Sequence, residues 1–564
     1  MLTRLLLLGT ILLNTGAIDA QDLSTLGSQG FRLSGSLGFD LAFYDADGIA
    51  PRRDRFAYLV SAGLSPQAGG LSAPFSATFS QQETTFLQPF NQYGLSPSYK
   101  WVKAHLGYRN LTFSPLTLNG HIFLGAGIEL TPTFEKLPVQ FELSAMYGRL
   151  RRPVEPVDAL IEGVASSYRR MGYGAKLNVV QSANRANFIG FSALRAFDVL
   201  GSIEDPVDLN GIKPQDNLVL GINGQYQLFE GLLVSAEYAT SALTRDVRIE
   251  RSLQREGGVF NLFDGYFTQR VSTQFRDALR TAVDYSFGNY KIGARFNNIA
   301  PDYTTLGAYF FVNDVREYTL NAAALFNDGK INVSGSIGLQ HNNLDAALNT
   351  GQRRIIGSLN YNQTFTDRLS AGLSYSNYAS SVLVQREELS DSLNVYQVST
   401  SYTGVANYKF DAKGRSGLSL QLGHQLANAR DEYSISETTT AFYNAAISYR
   451  TLFERPGISL HAGFTYTLNE SEALGISTLG PVLGVGKFLL DKKLNLRYAT
   501  AYRQSETFAG GAFSILTHRI SLNYKVFKNH TLRTSFNYLT KYDGALSNRA
   551  YAETRARVGY RLRF

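Results

Sequence analysis

The stretch Phe31-Arg32-Leu33-Ser34-Gly35-Ser36-Leu37-Gly38-Phe39-Asp40-Leu41-Ala42-Phe43-Tyr44 alternates with period two. Phe31, Leu33, Leu37, Phe39, Leu41 and Phe43 fall on every second position, with Gly35 in the gap. Arg32, Ser34, Ser36, Gly38 and Asp40 lie between them. Successive side chains of a strand point to opposite faces, so one face here is apolar and the other polar. The pattern returns along the chain. Ile122, Leu124, Ala126, Ile128 and Leu130 form one set, and Met171, Tyr173, Ala175, Leu177 and Val179 another. Leu279, Val283, Tyr285 and Phe287 follow, then Leu369, Ala371, Leu373 and Tyr375. Near the end come Leu494, Leu496 and Tyr498, then Ile520, Leu522 and Tyr524. Many of these segments run to about 9–12 residues, the length of a tilted membrane-crossing strand and longer than a typical globular one.

The connections alternate in length. Short turns beside an aromatic or apolar residue include Leu228-Phe229-Glu230-Gly231, Phe287-Gly288-Asn289-Tyr290, Phe326-Asn327-Asp328-Gly329 and Phe527-Lys528-Asn529-His530. Between them stand longer polar stretches: Ala300–Asp314, His341–Arg353, Ala379–Tyr396, Leu426–Thr438 and Gln504–Ala512. Short turns on one side and long loops on the other match a barrel in an outer membrane. A chain with one apolar face is stable in lipid only if its sheet closes, because an open edge leaves backbone groups unpaired. A solenoid or a soluble sandwich does not account for the strand lengths and the two-sided loops together.

Composition agrees. The 564 residues are 44% hydrophobic, and no repeated run reaches the ~18 apolar residues of a polytopic helical membrane protein. Cysteine is absent, which excludes disulfide scaffolds, thiolate metal sites and cysteine nucleophiles. The 33 tyrosines and 36 phenylalanines against one tryptophan fit strands. The net charge of +8 is compatible with several anionic partners and does not choose among them. Nucleic acid is disfavoured, because no separate basic module exists.

The ends carry addresses. Arg4, the apolar stretch Leu5–Leu13 and the small-residue close Ala17-Ile18-Asp19-Ala20 form the three-part pattern of a secretory signal peptide, with cleavage expected after Ala20. Residues 21–30 then make a short periplasmic segment, and residues 31–564 the barrel. At the other end Val558, Tyr560, Leu562 and Phe564 alternate with Gly559, Arg561 and Arg563, and the chain stops on the aromatic. Here the sequence resembles bacterial outer-membrane β-barrel proteins. The resemblance is architectural and covers essentially the whole chain after the signal. It implies that Tyr560, Leu562 and Phe564 are read by the barrel-assembly machinery during insertion into lipid. Gln21, just after the cleavage site, is similar to exported proteins of the Bacteroidota.

Seventeen strands are legible from Asp216 to the end. Eight precede them, near 31–44, 56–64, 74–82, 99–109, 120–131, 139–149, 169–180 and 187–196. An odd total cannot bring both termini to one side. Counting back from Phe564 puts the turn at Phe134–Pro138 in the periplasm, whereas counting forward puts it outside. One strand is therefore missed or over-called, expected within Gln82–Gly120, and the reading is an all-β up-and-down barrel of 26 strands, with 24 as the alternative. So wide a barrel needs inserted loops or a partner to keep the permeability barrier. Thr240–Arg276, the longest interruption, mixes charges with Phe260, Phe263, Tyr266 and Phe267. It reads either as a constriction loop folded into the lumen or as a solvated surface loop. Segments 150–168 and 197–215 are smaller candidates.

The outward parity of Phe564 turns Arg555, Arg557, Arg561 and Arg563 inward. The same parity collects Arg497, Arg503, Arg519, Lys525 and Arg533 on neighbouring strands. Basic groups around a pore favour anions. The alternative is that they pair with lumenal carboxylates such as Glu553, or with a plug. No catalytic residue is assigned. The seven histidines are scattered without metal-ligand spacing, and HExxH, GxSxG and phosphate-loop motifs are missing. No metal or other cofactor is expected. Strands begin too early for the plug domain of TonB-dependent transporters. Two functions remain: a channel or transporter for hydrophilic solutes, with anions as one option, and a non-enzymatic subunit of an outer-membrane secretion or surface complex with a protein partner in the envelope.

Overall fold

The computed structural model describes residues 30–564 apart from 82–90, 156–165, 205–211, 251–257, 310–311, 347–352, 384–393, 432–436, 472–474 and 545–547. The predicted signal peptide and most of the 21–30 segment lie outside the described residues. Every strand is antiparallel to its neighbours, and the ladder runs in chain order from Arg32–Asp47 to Arg549–Arg563. The first strand then pairs with the last, Phe39 opposite Tyr560, and closes the sheet. At that seam Gly35 N donates to Phe564 O at 2.8 Å, and Phe564 N donates to Gly35 O at 3.1 Å.

The closed sheet holds 26 strands. The one missing from the periodic reading is Gln92–Tyr99, inside the expected window. It is broken into Gln92–Leu95 and Ser98–Tyr99, and its neighbour into Leu71–Ser72 and Phe75–Ser80. Pro97 and Pro74 stand in the two gaps. Proline has no N–H for the ladder, so the pairing lapses there. Ser96 N bonds instead to Pro74 O at 2.9 Å across the gap. With this strand counted, both directions put Phe134–Pro138 on the short-turn side.

Three expected loops are shorter than the sequence suggests. The Ala379–Tyr396 hairpin keeps pairing to Leu383 opposite Asn394, Leu426–Thr438 to Arg430 opposite Glu437, and Gln504–Ala512 to Glu506 opposite Ala512. Beyond the membrane a hairpin needs no apolar face, so the alternation fades while the hydrogen-bond ladder continues.

The apolar positions form the outer band. Leu320 and Ile337 are 60% and 62% exposed although they sit mid-strand. Leu320 lies opposite Ile337 in the ladder. At the short-turn rim Tyr285, Phe287, Tyr290 and Phe326 form a chain of ring contacts 5.1–5.7 Å between centroids. Such a girdle marks the lipid–water interface. The Asn327-Asp328 turn takes φ +52° at both residues, the mirror-image geometry that matches the twist of a tight hairpin. Ile337→Arg would place a charge against acyl chains and is expected to lower stability by about 2–4 kcal/mol. The shift in urea midpoint on folding into vesicles measures it, and an unmoved midpoint would put this face in water.

Candidate functional site

The lumen wall has two unlike halves. On the strands from Val102 to Val315, apolar side chains point inward as well as outward. Phe123, Met146, Leu150, Leu194 and Ala196 are buried with Leu111, Leu243 and Leu306. Val219, Ala239, Ala278, Ile299 and Val315 form a second inner cluster. Two chain segments fold inward onto them. Phe113–Leu118 joins two strands and seats Phe113, Leu116 and Leu118 in these clusters. Residues 300–309 lie across it and contribute Tyr303 and Leu306.

Hydrogen bonds lock the two segments to each other and to the wall. The Tyr303 hydroxyl donates to Leu116 O at 2.7 Å, and Thr305 Oγ1 to Thr117 O at 2.6 Å. Burial, with Glu237 and Asp277 nearby, pushes the Tyr303 hydroxyl up, so it stays a neutral donor. Glu237 accepts from Leu116 N at 2.8 Å. Asn217, fully buried, accepts from Leu306 N at 3.0 Å and donates to Ser241 Oγ at 2.8 Å. Gly307 has no room for a side chain, because a Cβ would come within 2.9 Å of Thr117 O. Nearer the outer rim Arg170 grips Asp198 through two bonds of 2.8 and 2.9 Å. The described ends of the 150–168 and 197–215 segments meet there, burying Tyr168, Ile203 and Ile212.

Sequence reasoning missed this inner packing. Its signal was the breakdown of alternation, as in Ile122-Phe123-Leu124 and Leu218-Val219-Leu220, where apolar residues face both ways.

The Thr240–Arg276 interruption takes neither predicted place. Its described part packs on the outside of the barrel. Phe260 and Phe267 bury Leu218 and Ala242 and touch Phe275. Those three strand residues share a face with Ile222, Tyr238 and Leu279 of the outer band. The loop's Val259–Phe263 turn is the helical element of this region.

The other half of the wall is open among the described residues. From Ile331 to Leu489 its inward positions are mainly hydroxyls and amides, including Ser336, Ser358, Asn360, Ser376, Thr403 and Gln421. Ser336 and Ser358 approach to 3.0 Å across two strands. The last four strands and the first carry the charge. All nine basic residues singled out from sequence stand opposite the outward Tyr498, Ile520, Phe536, Val558 and Tyr560.

Three of them meet. Arg497, Arg533 and Arg557 line one depression of about 430 Å³ with Asp40, Asn495, Ser521, Asn523 and Ser535. The ladder explains it. Arg497, Ser521, Ser535 and Arg557 stand in one cross-strand row, and Asn495, Asn523, Arg533, Gly559 and Asp40 in the next. Short serines between long arginines make the hollow, and Gly559 leaves the space that the Asp40 carboxylate occupies.

The remaining six are spread. Arg555 donates to Glu553 at 3.0 Å, and Glu553 also accepts from Tyr44 at 2.9 Å, so this arginine is paired. Arg519 lies in the row of Asn537 and Arg555. Arg503 faces Ile515 nearer the outer rim. Arg561 sits beside Gly38, and Lys525 and Arg563 lie at the short-turn rim. Arg497, Arg533 and Arg557 have no carboxylate within 4.0 Å among the described residues. Among those residues no three His, Asp or Glu side chains gather as a metal site.

No protein-family model and no curated protein sequence matches the chain. Solved structures do. The ferric enterobactin receptor PfeA of Pseudomonas aeruginosa aligns over 95% of this chain and 81% of its own, at 10% identity and TM-score 0.44. FpvA of the same organism, bound to pyoverdine and iron, aligns over 94% and 72%, at 11% identity and TM-score 0.37. OccAB2 of Acinetobacter baumannii aligns over 62% and 92%, at 10% identity and TM-score 0.27. A closed sheet with an apolar outer band and a polar lumen is the architecture that lipid demands. The fold is a closed antiparallel β-barrel of the membrane-spanning kind. In such a barrel, 26 strands about 4.8 Å apart and tilted about 40° enclose a circle roughly 50 Å across. The two inward segments cover one side of that space.

Proposed function

We propose that this barrel is a channel for hydrophilic solutes with a preference for anions, working in the outer membrane after export through a cleaved signal peptide. The observation that carries the reading is the depression holding Arg497, Arg533 and Arg557 on the open half of the wall, free of carboxylate partners within 4.0 Å among the described residues. Arginine presents a planar fork of donors suited to carboxylate, phosphate or sulfate, and it keeps its charge at any physiological pH. The hydroxyl and amide wall beside it can replace hydration of a polar solute without binding it tightly, as passage requires. The inward segments narrow the lumen and protect the permeability barrier. No enzymatic step is assigned to the chain. Tyr560, Leu562 and Phe564, at the end of the strand that closes the seam, serve as the signal for the barrel-assembly machinery.

Planar bilayers test this. Purified barrel is expected to give stepwise conductance, with a reversal potential of anion-selective sign in a KCl gradient. The bias is expected to fade in 1 M salt, where screening shortens to about 3 Å. A correctly folded barrel that does not conduct would sink the channel reading.

A further inference from the structure

We infer that residues 258–272 form a shelf on the outside of the barrel whose exposed apolar side chains dip into the outer leaflet, with membrane lipid as the occupant. The loop lies on the lipid side of the wall, since Phe260 and Phe267 bury Leu218, Ala242 and Phe275 of the outward face. Ring centroids of Phe260 and Phe275 are 5.4 Å apart, and those of Phe260 and Phe267 are 6.4 Å apart. With those two rings turned to the barrel, the loop presents another set of apolar groups away from it. Leu262 is 72% exposed, Val259 47% and Tyr266 46%.

Height on the barrel selects the occupant. A strand tilted about 40° climbs ~2.5 Å per residue, so a lipid-facing band ~25 Å tall spans roughly ten residues. Ten residues up from the Glu230-Gly231 turn is the level of Ala242, on the strand Leu232–Thr244. The shelf therefore begins where the band ends and continues the same apolar surface into the interface. Solvent at that level would leave Leu262 and its neighbours hydrated with no compensation, whereas acyl chains cover them. Tyr266 suits the boundary, with an apolar ring and a polar tip.

The shelf is held in shape from behind. Gln269 Nε2 donates to Asn261 Oδ1 at 2.7 Å, and Phe267 N to Phe263 O at 3.1 Å. Ser272 Oγ donates to Asp246 O at 2.9 Å, while the Arg248 guanidinium holds the Asp246 carboxyl below the usual carboxylate range. Arg270 Nη1 donates to Ile249 O at 3.0 Å. These bonds tie the loop to its own base and leave the apolar edge without a partner among the described residues.

The single tryptophan, Trp101, sits at a short turn on the opposite rim, which makes the test direct. Trp101→Phe with Leu262→Trp is reconstituted in phosphatidylcholine vesicles carrying a spin label on the headgroup, at acyl carbon 5 or at acyl carbon 12. Blue-shifted emission is expected, quenched at least twofold by the headgroup and carbon-5 labels and less by the carbon-12 label. Emission at the wavelength of hydrated indole, quenched by aqueous iodide and by no lipid label, would overturn the inference. So would blue emission that neither lipid label nor iodide reaches, which would place the side chain against protein. If Leu262→Trp does not insert, Tyr266→Trp in the same background is read the same way.

Discussion

A barrel carrying Arg497→Glu, Arg533→Glu and Arg557→Glu together is expected to pass cations in preference to anions. The three side chains converge on one depression, and their cross-strand partners Gly486, Ser521, Asn523, Ser535, Gly559 and Ala42 carry no charge. Asp40 is already there and would join three new carboxylates. In water a unit charge about 8 Å from an ion's path contributes ~0.5 kcal/mol, and screening at 0.1 M cuts that to roughly 0.2. Inverting three charges is a change of six unit charges, about 1.2 kcal/mol, and so shifts an ion's partition about eightfold, in opposite directions for the two signs. The reversal potential in a KCl gradient should change sign, with single-channel conductance kept within about twofold. The Arg→Gln triple variant should fall between. A sign that stays anionic in the Glu triple variant would mean that selectivity arises elsewhere on the wall, and that these arginines serve the seam.

The second large effect belongs to the covered half. Phe123→Ala is expected to cost about 3–5 kcal/mol, the usual range for emptying a buried phenylalanine site. Phe123 is fully buried among Leu111, Phe113, Leu118 and Leu150. Its ring lies in a slot made by missing side chains. A Cβ at Gly148 would fall 2.9 Å from the ring, and one at Gly127 3.3 Å from it. The strand ladder cannot collapse into the vacated space, because its spacing is set by backbone hydrogen bonds. The loss should therefore appear in full, as a lower urea midpoint. Phe113–Leu118 would lose its seat, and residues 300–309, bonded to it through Tyr303 and Thr305, would loosen with it. Conductance should rise and become noisier. A midpoint within 1 kcal/mol of the parent, with unchanged conductance, would show that the inner cluster does not hold these segments.

Much of this protein is legible in one dimension, for a physical reason. Lipid outside and water inside impose opposite demands on alternate residues of every strand, so Phe31–Tyr44 and its successors reveal both strand and facing. Closure in lipid requires an even count when both ends share a side, and that rule exposes a miscount near 82–120, a strand missed or one too many, before the residues there show which. Gln92–Tyr99 itself was illegible, because Pro97 interrupts its ladder and it is too short to show a period. Facing also collects nine basic residues on one side of the last strands. Which of them share a hollow depends on ladder register, and register joins residues as distant in sequence as Asp40 and Gly559.

Sequence alone determined most of the strands, the closure and which face of the last strands is basic, because each follows from a local alternation or a count. Tertiary structure decided where the apolar loops go. Leu218 faces out and Val219 faces in, both are apolar, and each wall surface offers a loop the same kind of burial. Alternation cannot rank two such faces. Phe113–Leu118 went inward because Leu194, Glu237 and Leu243, which receive it, come from strands far along the chain, whereas Phe260 turned outward onto Ala242 and Phe275 of its own flanking strands and Leu218 of the next.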